Sequence, residues 1–218
     1  AAGITHEINQ PLTAIKITAD SILYWEKKNK GILPEKFVSM QHKISDNVNR
    51  ITEVIQHMRS FWVSPDKIEK KTVDLNEAVE NTFALLNRQL HSHGIEPEIS
   101  LYEPSVPILG NILHLEQIVI NLVVNAMNTL DRVSRKVKRI RIVTRRKDDR
   151  AVLKVIDNGT GIRKEIRDRI FDPFFSTKKQ GEGMGLGLAI VKRFVDEHGG
   201  VITVRNNPKN GVTFTVEF

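Results

Sequence analysis

Cysteine is absent from the 218 residues. Disulfides, thiolate zinc sites and cysteine nucleophiles are therefore excluded. Long hydrophobic runs are missing too. The most apolar stretch, 118–127, is interrupted by Asn121 and Asn125, and nothing reaches the roughly 18 apolar residues a membrane helix needs. The first residues lack the basic start and apolar run of a signal peptide. Glycine is scarce at the beginning: only Gly3 and Gly31 precede residue 90. What is present is a globular composition, 40% apolar and 27% charged, with 33 basic against 26 acidic residues and a net charge of +7. This reads as a mildly basic chain of the cytoplasm, long enough for one large domain or two small ones.

The pattern divides the chain. Ile4, Ile8, Leu12, Ile15, Ala19 and Ile22 recur at steps of three and four, as do Phe37, Met40, Ile44, Val48, Ile51, Ile55, Met58 and Trp62. Such steps predict two helices with coiled-coil-like seams. Gly31 and Pro34 punctuate the short connection, which makes an antiparallel hairpin. One hairpin covers little apolar surface, so a homodimer forming a four-helix bundle is expected. A linker follows over 64–73. The remainder, 74–218, alternates helix and strand and predicts helices on one side of a mixed sheet, an α/β sandwich within an α+β chain.

Four constellations carry candidate chemistry. His6 lies about 160° around the helical wheel from Ile8, at about 100° per residue, and so faces away from the seam. Glu7 beside it can take a proton from one ring nitrogen and leave the other as a nucleophile. Gln10 shares the histidine's face, and Pro11 should bend the helix. An exposed helical histidine is also a common inert surface residue. Asn121 and Asn125 are amides at i and i+4 on an otherwise apolar helix. Buried amides need partners, either within the fold or in hydrated Mg²⁺ and polyphosphate. Asp157-Asn158-Gly159-Thr160-Gly161 follows a strand and reads either as a tight turn or as a carboxylate placed to accept the exocyclic amine of adenine. Phe171-Asp172-Pro173-Phe174-Phe175-Ser176-Thr177-Lys178 leads into Gly181-Glu182-Gly183-Met184-Gly185-Leu186-Gly187-Leu188 and then a helix, whose N-terminus suits phosphate. Six of the 13 glycines fall between Asp157 and Gly187. The run is neither a Walker A loop nor a dinucleotide fingerprint.

In order and spacing these segments resemble the H, N, G1, F and G2 boxes of the transmitter region of sensor histidine kinases of two-component signalling. The resemblance runs through essentially the whole chain. It implies a dimerising phosphotransfer hairpin over 1–63 and a catalytic ATP-binding domain over 74–218, of the type shared with gyrase and chaperone ATPases. His6 would be phosphorylated by ATP and would pass the phosphoryl group to an aspartate of a response regulator. Glu7 matches the acidic partner of the phosphoacceptor, and Asn125 the Mg²⁺-ligating amide, with Asn121 in the same site. Asp157 matches the adenine-reading carboxylate. Gly159, Gly161, Thr177, Lys178, Gly183, Gly185, Leu186, Gly187 and Leu188 are implied to contact the nucleotide.

Departures exist. Asn128 stands where many relatives carry Lys or His, so Lys178 is left to supply a phosphate contact. Gln10 stands where relatives hold a Thr or Asn that orients water for dephosphorylating the regulator. Gyrase-type ATPases activate water with a Glu at the place of Asn121, which argues against simple hydrolysis here. The chain starts five residues before His6 and so reads as a fragment, whose parent can be tethered to a membrane by a region outside it. No nucleic-acid partner is expected. Residues 131–150 hold ten basic and three acidic residues, but no aromatics interleave, and a solvated strand pair accounts for them.

Overall fold

The computed structural model describes residues 2–27, 34–62, 71–177 and 185–218. They form two compact units, a helical pair and an α/β body. In the first, α1 (Ala2–Lys27) packs on α2 (Pro34–Trp62). Pro34 opens α2, where its missing N–H is no loss and its fixed φ suits the first turn. Pro11 lies inside α1. Ile8, Ile15, Ala19 and Ile22 of the first seam and Met40, Ile44 and Ile51 of the second are half-buried. Leu12, Phe37 and Val48 of the same seams remain 47%, 38% and 47% exposed. The connection containing Gly31 lies outside the described residues, as does most of the expected linker. Residues 71–73, expected to end that linker, instead belong to a strand, β1 (Lys71–Asp74).

The second unit continues with α3 (Leu75–Ser92), β2 (Ile95–Ser100), β3 (Pro107–Gly110) and α4 (Ile112–Leu130). Then come β4 (Lys138–Lys147), β5 (Arg150–Asp157), a 3₁₀ turn over Lys164–Arg169, α5 (Gly187–Glu197), β6 (Val201–Asn206) and β7 (Val212–Glu217). β1 and β3 pair antiparallel in a small sheet of their own. The main sheet runs β2-β4-β5-β7-β6, with β2–β4 parallel and the other pairs antiparallel. This is the expected mixed sheet with helices packed on it. Ile140, Ile142, Leu153, Val155, Phe214 and Val216 turn into the core against Leu115, Ile118, Leu122 and Ile190. Each such side chain, fully buried, contributes about 2 kcal/mol.

Side chains fix where the helices begin. The Asp74 carboxylate accepts from Asn76 N (3.0 Å), which caps α3, and from Val106 N (2.9 Å), which ties down the approach to β3. Asn111 caps α4 by accepting from Leu113 N (2.9 Å) and His114 N (3.3 Å). At the far end of α5, the His198 Nδ1–H donates to the Phe194 carbonyl (2.6 Å), and Nε2 accepts from Asn111 N (3.2 Å). The start of α4 is thereby bolted to the end of α5. These two helices carry the amides and the glycine-led N-terminus singled out in the sequence.

Candidate functional site

α4 is apolar on most sides because it is packed against the sheet and two helices. Along it, Asn121, Asn125 and Thr129 recur at four-residue steps and share one face. Asn121 is buried, and its Nδ2 has no hydrogen-bond partner among the described residues. The Thr129 hydroxyl donates to the Asn125 carbonyl (3.0 Å). The first residue of α5, Gly187, faces the two amides. A Cβ built there would stand 3.4 Å from Asn121 Oδ1 and 3.6 Å from Asn125 Nδ2. Two amides, one with a donor unused among the described residues, therefore meet a helix start, whose first N–H groups have no partner within the helix. A helix N-terminus with such donors attracts anions.

Asp157 ends β5 and is 5% exposed. Its Oδ1 accepts from Gly159 N at 2.7 Å. Burial pushes the carboxyl above its ordinary pKa; the Gly159 and Val212 backbone N–H groups, and the charge of Arg135, pull it partly back. Oxygen lone pairs not used by these bonds can accept a further donor. Gly159 is required by packing: a Cβ there would lie 2.7 Å from Thr129 Cγ2 and 2.9 Å from Asp157 Oδ1. Thr129 thus stands between the amides of α4 and the turn after β5. Sequence reasoning missed it, although its i+4 spacing from Asn125 was the signal.

The remaining expected residues sort as follows. Gly161 adopts φ +77° and Gly185 φ +67°, and a Cβ at Gly185 would run into the Phe175 carbonyl. Leu186 is buried and Leu188 half-buried. Phe174 holds φ +65° while 47% exposed. Thr177 is exposed and Gln10 half-buried. His6 and Glu7 lie on α1, but their side chains fall outside the described part of the structure. Lys178 and Gly183 also lie outside it. Among the described residues no cluster of three metal-ligating side chains of the His, Cys, Asp or Glu type occurs.

Residues 110–218 match the family of histidine kinase-, DNA gyrase B-, and HSP90-like ATPases. The chain belongs to this ATPase family. Membership implies that the matched unit binds ATP. The sensor histidine kinase ZraS of Salmonella typhimurium is 30% identical over 219 residues, which cover 99% of this chain and 44% of that protein. The chain thus spans less than half the length of this relative. The catalytic domain of the histidine kinase ThkA is 28% identical with a TM-score of 0.62, covering 69% of this chain and 95% of that one. Histidine kinase ThkA in complex with the response regulator TrrA matches with a TM-score of 0.76 at 24% identity, covering 100% of this chain and 60% of that one. This last likeness is one of fold and takes in the helical pair as well as the ATPase unit.

Proposed function

We propose that the chain is the kinase part of a two-component sensor: it autophosphorylates His6 from ATP and passes the phosphoryl group to an aspartate of a response-regulator receiver domain. The observation that carries the reading is the buried Asn121, whose Nδ2 has no partner among the described residues, facing the start of α5 within a unit of the ATPase family. Two facts support the kinase reading. A relative alike across almost the whole chain is named a sensor histidine kinase, and ThkA is described in complex with a response regulator.

In this reading 1–63 form the dimerising phosphotransfer hairpin, the unit that begins with β1 at residue 71 binds ATP, and 64–70 join the two. The exposed Leu12, Phe37 and Val48 support a homodimer through the hairpin. Asp157 accepts the adenine amine, and Gly159 and Gly161 let the base approach the backbone. Gly185, Leu186, Gly187 and Leu188 present N–H groups to the phosphates at the start of α5. Thr177, Lys178 and Gly183 add contacts from the preceding segment. The amide oxygens fit a hard cation, so Asn125, with Asn121 beside it, would hold Mg²⁺. Bound there, the ion would neutralise phosphate charge during transfer.

His6 attacks with one ring nitrogen. A nitrogen–phosphorus bond to the γ-phosphoryl forms as the bond to the β,γ-bridging oxygen breaks, and ADP leaves. Glu7 holds the proton of the other ring nitrogen, so the attacking nitrogen keeps its lone pair. Gln10 would orient water for dephosphorylating the regulator. A kinase drawing on ATP and a response regulator works in the cytoplasm, whatever tether the parent protein carries. The test is incubation with γ-labelled ATP and Mg²⁺. An acid-labile, base-stable label on the chain is the expected result. Free phosphate without protein label would instead make it a plain ATPase.

A further inference from the structure

From Asp157, the last residue of β5, the chain runs through 158–162 outside any helix or strand, yet both ends of this turn are gripped by side chains from the last hairpin. Asn206, the final residue of β6, pairs with the backbone of Ile162 in both directions. Ile162 N donates to Asn206 Oδ1 (2.8 Å), and Asn206 Nδ2 donates to the Ile162 carbonyl (2.7 Å). The side-chain amide does here what a neighbouring strand's peptide would do. The next residue, Asn207, donates through Nδ2 to the Asp157 carbonyl (3.2 Å), and its Oδ1 is held by the Thr213 hydroxyl (2.6 Å). A Cβ at Gly211 would collide with that same Asp157 carbonyl. The hairpin therefore seats directly on the backbone of the adenine-reading residue.

We infer that Asn206 and Asn207 are positioning residues that set base specificity: they hold the 157–162 turn so that the Asp157 carboxylate stays aimed at the amine of adenine. The inference rests on the adenine-reading role proposed for Asp157. Both asparagines act through backbone atoms of the turn, Asn206 at Ile162 and Asn207 at the Asp157 carbonyl. A charge-assisted hydrogen bond is sensitive to the direction of approach. Slack in the turn therefore costs the bond that distinguishes adenine from guanine and leaves phosphate contacts alone.

The experiment is titration of the whole chain with MgATP and MgGTP, alongside melting temperatures. Asn206→Ala should weaken MgATP about tenfold, the weight of one good hydrogen bond, with MgGTP changed less than about twofold. Asn206→Asp keeps the shape and the acceptor but sets a carboxylate against the Ile162 carbonyl. It should lose as much ATP preference as alanine, whereas a packing role would be rescued by it. Asn207→Ala tests the other end of the turn and serves if Asn206 variants do not fold. In the wild-type chain the Ile162 amide should exchange well below its free-peptide rate despite lying in a loop. Free exchange at Ile162, or equal loss of both nucleotides with a fallen melting temperature, overturns the inference. Asp157→Asn separates the two levels. If it leaves ATP preference intact, the adenine-reading role fails and this inference with it. If it erases the preference while the Asn206 and Asn207 variants keep it, the clamp alone is wrong.

Discussion

A buried donor without an acceptor has given up water and gained nothing in exchange, at a cost of about 1–3 kcal/mol. Among the described residues Asn121 Nδ2 is such a donor. Leucine has nearly the same shape and a better helix propensity. Asn121→Leu should therefore raise stability by about 1 kcal/mol, a rise of about 2–4 °C in melting temperature at this size, while abolishing Mg²⁺-dependent ATP binding. Thermal melts and calorimetry on one preparation check both halves; a destabilised variant would mean that the amide has a partner in the fold. Asp157 makes the same trade in charge. Burial raises its pKa, so the nucleotide-free fold holds the carboxyl proton more tightly than the unfolded chain does, and stability is lost as pH rises through the raised value. A base amine favours the ionised form. ATP affinity should then fall as pH is lowered through that value, and Asp157→Asn should bind ATP weakly with a flatter pH profile. The same variant should be at least as stable as wild type at neutral pH, with the difference shrinking toward acid. A wild-type affinity that does not fall with acid would remove the carboxylate from the reading.

On the scale of elements, α5 begins with a glycine that its own geometry does not require. Gly187 has no positive φ, and an added Cβ would meet the two amides at ordinary contact distance, 3.4 and 3.6 Å. Gly187→Ala should fold and, by reducing unfolded-state freedom, gain up to about 1 kcal/mol. It should also fill the space between helix start and amides, and weaken MgATP binding at least about tenfold. Unchanged affinity in titration would move the phosphates elsewhere. The long elements were legible in the sequence because their periods are long. The alternation of helix and strand expected over 74–218 is there in α3, α4, α5 and the β4–β5 and β6–β7 hairpins. β1 escaped because four residues, Lys-Thr-Val-Asp, show no period, and their pairing with β3 is a tertiary fact. Part of the site was legible for a local reason: amides at i and i+4 must share a face. Asn206 and Asn207 were not, because their partners lie 44 and 50 residues away.

Across the whole molecule the sequence separates two jobs. His6 lies on α1, whereas Asn121, Asn125 and Asp157 belong to the other unit. Within the α/β unit the core is closed by its own helices and sheet. The hairpin is different, since Leu12, Phe37 and Val48 recur in its seams and stay exposed. Self-association through this surface should appear in sedimentation at about 100 μM, where an association free energy near −5.5 kcal/mol is populated. The division of labour predicts the outcome of the simplest substitution. His6→Ala removes the phosphoacceptor and nothing that meets the nucleotide in this reading, so incorporation of label from γ-labelled ATP should vanish while ATP affinity holds at the wild-type value. A change confined to one helix should also leave the melting behaviour of the ATPase unit intact, which makes the comparison clean. Persistent labelling would place the acceptor on another residue, and a parallel loss of nucleotide binding in a well-folded variant would show that the two units do not divide the work in this way.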